Sequence, residues 1–130
     1  MRFRRLNKEF RNRQSRLLDK ACIKPEPKEK KMIKTTIYFG RDINGTDEVT
    51  NTSWFRFLNE VVDKYYSGYT WFYASGVWEG KTEGTFVVEI VHEKAAEEAG
   101  KIADIAFEYK KLYSQDSVMV TVQELSVAFV

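Results

Sequence analysis

From Ile33 to Phe39 the chain alternates, with Ile33, Thr35, Ile37 and Phe39 on one side and Lys34, Thr36 and Tyr38 on the other. A period of two marks a strand with two unlike faces. Gly40 ends it, and the following loop carries the turn dipeptide Asn44-Gly45. The period then lengthens. Trp54, Phe57, Leu58, Val61, Val62 and Tyr65 recur at the three- and four-residue steps of a helix laid on a sheet. Thr50 is its predicted N-cap, and Ser67-Gly68 its end.

Tyr69 to Trp78 is almost entirely β-forming, and Thr85 to His92 returns as its hairpin partner across a turn placed at Glu79 to Gly84. A second helix is predicted from about Glu93 to Tyr113, with Ala99, Ile102, Ala106, Tyr109 and Tyr113 inward. Glu93, Glu97 and Glu98 near its start and Lys110-Lys111 near its end suit the helix dipole. The last strand begins near Ser117, and its apolar parity changes around Gln123-Glu124, as it does at a bulge or where both faces are covered.

This order predicts one α+β domain: a ferredoxin-like βαββαβ arrangement, with an antiparallel sheet and both helices on one face. The helix-free face then collects either Tyr69, Trp71, Tyr73 and Val77, or Thr70, Phe72, Ala74 and Trp78. Both sets are too apolar to stand in water. A second sheet is therefore expected against that face, making a homodimeric α+β barrel with Tyr69, Trp71, Tyr73 and Val77 as candidate interface residues.

Charge changes the picture at the N-terminus. Residues 1–31 carry 12 Lys/Arg against 4 Asp/Glu, whereas the remaining 99 carry 9 against 15. The chain thus reads as a basic tail with a proline linker (Lys24-Pro25-Glu26-Pro27-Lys28) over 1–31, followed by the domain at 32–130. Phe3, Leu6, Phe10, Leu17 and Leu18 share one helical face of the tail. It is either an amphipathic basic helix or a solvated extension. An acidic folded part does not suit phosphate backbones, so weak contact with nucleic acid or an anionic surface is expected only through the tail. No apolar run reaches the ~18–20 residues of a membrane span, and no apolar core follows the basic start, so a cytoplasmic location is the default expectation. One cysteine and one histidine exclude an internal disulfide framework and argue against structural zinc. No metal or cofactor is expected.

In this topology one edge of the sheet gathers Gly40 and Arg41, the start of the first helix, Trp78 with the hairpin, the end of the second helix, and Gln115 to Ser117. Arg41 offers a planar fork of donors for an anionic group. Trp54 and Trp78 suit stacking on a flat ring. Tyr109 and Lys110 add a phenol and a second positive charge, and Gln115 and Ser117 supply neutral hydrogen bonds. These seven are the candidate ligand-binding residues. Plainer readings stand beside them: Trp54 begins the apolar stripe of its helix, Arg41 has Asp42, Asp47 and Glu79 nearby to pair with, and His92 ends a strand at the opposite edge.

The same residues carry a resemblance. Tyr38-Phe39-Gly40-Arg41, Val49-Thr50 with Trp54 and Phe57-Leu58, Gly68-Tyr69-Thr70 with Ala74, Gly76 and Trp78, then Tyr109-Lys110 and Gln115-Asp116-Ser117-Val118 are similar, in that order, to a family of small bacterial and phage proteins known only as a domain of unknown function. The resemblance spans roughly 33–129. It implies a ferredoxin-like α+β fold and supplies no activity. Many members look exported behind a lipoprotein-type leader, where this chain has its basic tail.

Catalysis has little to stand on, since no nucleophile–base pair, metal-ligand cluster or Gly-rich phosphate loop is present. The leading expectation is a non-catalytic binder of a small anionic, nucleotide-like ligand at the Arg41 edge, as in a phage-type protein that sequesters host signals. The alternatives are a dimeric-barrel enzyme acting on a carbonyl, carboxylate or haem-like substrate, and an interaction module using the aromatic sheet face.

Overall fold

The computed structural model describes residues 28–130. The predicted basic helix, Cys22 and both linker prolines lie outside the described residues. The chain divides into two compact units. The larger is Ile33–Gln123, and the described residues of the other are 28–32 and 124–130.

Strand β1 (Lys30–Gly40) is followed by a small ribbon of β2 (Asp42–Ile43) and β3 (Asp47–Glu48). Helix α1 runs over 51–65 in three stretches: α-helical Asn51–Phe57, π-wound Leu58–Val62 and α-helical Asp63–Tyr65. Then come β4 (Thr70–Trp78), β5 (Lys81–His92), helix α2 (Ala96–Tyr113) and β6 (Met119–Val127). Among the described residues the architecture is α+β, with two helices and a four-stranded antiparallel sheet in the order β4-β5-β1-β6.

Local chemistry explains where the helices start. The Thr50 hydroxyl accepts from the Ser53 backbone N–H, satisfying one of the donors that an α-helix leaves open at its first turn. In the π-wound stretch the Asp63 N–H reaches back to Leu58 O, and Leu58 and Val62, one turn apart, are both buried. The second helix begins at Ala96, three residues after the predicted start. Its buried stripe is Ile102, Ile105 and Tyr109, with Ala99 exposed.

The core lies on one face of the sheet. Ile37 and Phe39 of β1 stand opposite Val88 and Phe86 of β5, and all four join Trp54, Phe57, Val62, Ile105 and Tyr109 in a single buried cluster. Both helices therefore pack against the same sheet face. At the centre Trp54 and Phe86 stack nearly parallel, 4.3 Å apart with 2° between planes, and Phe39 meets Tyr109 at 4.7 Å.

The hairpin is tighter than the sequence suggested. Its turn is only Glu79-Gly80, both with positive φ (48° and 77°), and β5 already begins at Lys81. That two-residue turn fixes the register Trp78↔Lys81, hence Tyr73↔Phe86 and Trp71↔Val88. Register decides which face each side chain takes, and this corrects the expected interface. Tyr69, Trp71 and Tyr73 belong to the helix-packed face: Tyr69 packs on the core, Trp71 meets Trp54 and Phe55, and Tyr73 meets Phe86. Val77 has the same parity but is exposed. The side of β4 away from both described helices carries Thr70, Phe72, Ala74 and Trp78, with Phe72 opposite Val87. Among the described residues no helix is long and apolar enough to cross a membrane.

Candidate functional site

At the end of β1 the backbone of Arg41 is held on both sides. Its N–H donates to Gly84 O (3.0 Å), and its carbonyl accepts from Val49 N–H (2.8 Å). The side chain then folds inward. Nε donates to Val49 O (2.8 Å), Nη1 to Tyr73 Oη (2.9 Å), and Nη2 stands 3.6 Å from Glu48 Oε1. The guanidinium carbon lies 4.9 Å from the Phe86 ring centre and 5.1 Å from that of Tyr73. With a side chain 13% exposed, Arg41 is first an organiser of this edge. Gly84 makes that packing feasible, since a Cβ there would collide with the Tyr73 hydroxyl and crowd Arg41 Cδ.

Beside it, Tyr109 Oη donates to Gly40 O (2.6 Å) from within the core. Burial foremost, and the neighbouring Tyr113, raise the Tyr109 phenol above its ordinary range, so it stays a proton donor. Gln115 Nε2 donates to Asp42 O (2.6 Å) and to Tyr113 O (3.2 Å). Its amide oxygen is thereby turned toward Gly40, where a Cβ would meet Glu83 Oε1 at 2.5 Å and Gln115 Oε1 at 3.2 Å. Two acceptor oxygens thus face Gly40, where a Cβ would displace them.

A cavity of about 620 Å³ opens here. Four carboxylates line it (Asp42, Asp47, Glu48 and Glu83) against two cations, Arg41 and Lys81. Trp78, 73% exposed, forms part of its wall. A second cavity of about 360 Å³ shares Arg41 with the first and is otherwise lined by Asn51 and aromatic rings. Among the described residues no group of three His, Cys, Asp or Glu side chains could hold a metal ion.

Of the seven residues singled out from sequence, Arg41 and Trp78 line the larger cavity together. Tyr109 and Gln115 line neither cavity: Tyr109 is bonded to Gly40 O, next to Arg41, and Gln115 to the carbonyl of Asp42, which does line the larger one. Trp54 does not reach it: the residue is 0% exposed and stacked on Phe86, so its place is the core. Lys110 and Ser117 line neither cavity. Glu83 and Lys81 were missed because the segment 79–84 reads as turn, whereas the observed strand begins at Lys81 and turns Glu83 toward Gly40. His92 is at the far edge, bonded to Thr35 Oγ1 (2.7 Å) and Glu93 O (2.8 Å).

A family model described as "Protein of unknown function (DUF3574)" matches residues 34–129, which contain every residue of this edge. The chain belongs to the DUF3574 family. Among curated proteins none matches it. Of solved structures, a phage SAM lyase in complex with S-methyl-5'-thioadenosine is similar with a TM-score of 0.59 at 16% identity, over 75% of this chain and 90% of that one. The apo state of a phage SAM lyase is similar with a TM-score of 0.53, also at 16% identity, over 76% and 90%. At that identity the likeness concerns the fold of this DUF3574 domain.

Proposed function

We propose that this DUF3574 protein binds a small nucleoside-like molecule in the 620 Å³ cavity, and that the ligand carries a positive charge. The observation that carries this reading is the charge of the cavity. Four carboxylates outweigh two cations, and one of the cations, Arg41, is already held by Glu48, Val49 and Tyr73. An anion entering here would meet net repulsion, so the anionic ligand expected from Arg41 and Lys110 gives way to a cationic one. A cation would be drawn to Glu83, Asp42 and Asp47 and find the face of Trp78 in the same wall. Glu83 adds an acceptor carboxylate, the complement of an ammonium or a diol. The volume falls within the ~300–1,000 Å³ usual for small-molecule sites. The similar fold that holds S-methyl-5'-thioadenosine supports a nucleoside-sized guest.

Isothermal titration with SAM, S-methyl-5'-thioadenosine and AMP separates the ligand signs. The sulfonium is expected to bind most tightly and AMP most weakly, with Glu83→Gln lowering sulfonium affinity about tenfold, or ~1.4 kcal/mol. Tightest binding of AMP would sink the proposal. The lyase likeness favours one second reading, in which the guest is chemically altered. Chromatography of the ligand after prolonged incubation decides it, intact ligand meaning a binder and fragments an enzyme.

The strand order and the one-sided helices support describing the domain as ferredoxin-like. Homodimerisation is part of the same proposal, with the sheet face bearing Phe72 as the contact. Monomeric sedimentation at micromolar concentration would remove it.

A further inference from the structure

Arg41 is a wall common to two cavities, and the smaller one differs in chemistry from the acidic one. Phe55, Trp71, Tyr73 and Phe86 enclose it, with Arg41 and Asn51 completing the lining. The rings meet at steep angles: Phe55 and Trp71 at 79° and 5.6 Å, Trp71 and Phe86 at 66° and 6.4 Å, Tyr73 and Phe86 at 72° and 5.6 Å. Trp71 and Phe55 remain 37% and 48% exposed, so apolar ring surface is left uncovered beside a recess of about 360 Å³. A cation is disfavoured there, because the Arg41 guanidinium already occupies the π-faces of Tyr73 and Phe86. An uncharged planar ring meets no such repulsion and gains stacking and edge contacts. Asn51 supplies an amide that both donates and accepts, which suits the edge of a heteroaromatic ring.

We infer that this aromatic recess is the subsite for the planar base of the ligand, and that Arg41 is the partition between base and cationic end. The inference rests on the binding reading above and adds to it the place and chemistry of the second half of the molecule. Arg41 is then a positioning residue, holding the Tyr73 ring by its hydroxyl while its own side chain separates the two subsites.

Two probes test the halves separately by NMR titration of the full chain: S-methyl-5'-thioadenosine, an uncharged nucleoside, and trimethylsulfonium, a bare cation. Trp71→Ala and Phe55→Ala are each expected to weaken the thioadenosine about tenfold and to leave trimethylsulfonium unchanged. Glu83→Gln is expected to weaken trimethylsulfonium. Phe55 is the more exposed of the two rings, so its variant carries the test should Trp71→Ala unfold. If Trp78→Ala weakens the thioadenosine while Phe55→Ala and Trp71→Ala do not, the base stacks on Trp78 and the inference falls while the binding reading stands. Wild-type protein that binds the cation but not the nucleoside also overturns the base subsite alone. Wild-type protein that binds neither probe overturns both.

Discussion

Tyr109 in α2 donates its phenolic proton to the carbonyl of Gly40 at the end of β1, 2.6 Å across 69 residues of sequence. The bond ties the last turns of the second helix to the strand end from which Arg41 departs. It also gives the hydroxyl of the fully buried Tyr109 a partner. Tyr109→Phe removes this bond to Gly40 O. The expected loss is about 1–3 kcal/mol, read as a lower midpoint in urea denaturation with an unchanged slope.

Gly40 is the cleanest handle on the site. A Cβ there meets the far ends of two side chains, Glu83 and Gln115, and not backbone. Gly40→Ala is therefore expected to displace the paired oxygens at small cost, within about 1 kcal/mol of wild type. Ligand affinity should fall about tenfold, or ~1.4 kcal/mol. Thermal unfolding and calorimetry on one sample check both halves.

Arg41→Ala is expected to cost about 1.5–3 kcal/mol, because charge-assisted bonds to Val49 and Tyr73 are lost at a mostly covered position. Arg41→Lys should recover little, since an ammonium lacks the planar fork that serves Val49, Tyr73 and Glu48 together. Denaturation of both variants tests this.

Trp54 is expected to be the most costly single truncation. Trp54→Ala empties the space against Phe86, Phe39 and Phe57, at about 3–5 kcal/mol. Its indole N–H is buried without a hydrogen-bond partner among the described residues. Trp54→Phe forfeits no such bond, so its cost is that of volume alone, expected below the alanine variant by about 2 kcal/mol. Chemical denaturation of the pair provides the comparison.

The pH dependence has a named source on each side. The Tyr66 hydroxyl, 2.5 Å from Glu98 Oε2, lowers the Glu98 carboxyl below its ordinary 4.5, with Lys101 and His92 helping. A carboxyl lowered by folding stabilises above the unfolded value, and that contribution is lost as pH falls through the folded one. Stability should therefore drop below about pH 4.5, less steeply in Tyr66→Phe. Tyr66 itself is raised, first by burial and then by Glu98. Its contribution is full below the unfolded value of 10 and declines as pH rises beyond it. Tm measured across pH in both proteins tests the two limbs.

What could be read along the chain was what short-range pattern encodes. The period-two run before Gly40, the stripe from Trp54 to Tyr65 and the Thr50 cap all follow from local sterics and from the need to bury one side of each element. Strand and helix order then places Arg41, Trp78, Tyr109 and Gln115 near one edge. Three further matters depended on contacts between distant segments. The two-residue turn at Glu79-Gly80 sets the register of β4, and a slip of one residue would exchange the Trp71 and Phe72 faces. The partners of Arg41 come from Val49, Tyr73 and Glu48, so its engagement is invisible in its own neighbourhood. The acidity of the cavity arises because the β2–β3 ribbon and the start of β5 converge, bringing Asp42 and Asp47 near Glu83. Periodicity specifies which face of an element is buried. Only the assembled fold specifies which charges share a cavity, because that depends on long-range packing that no local window contains.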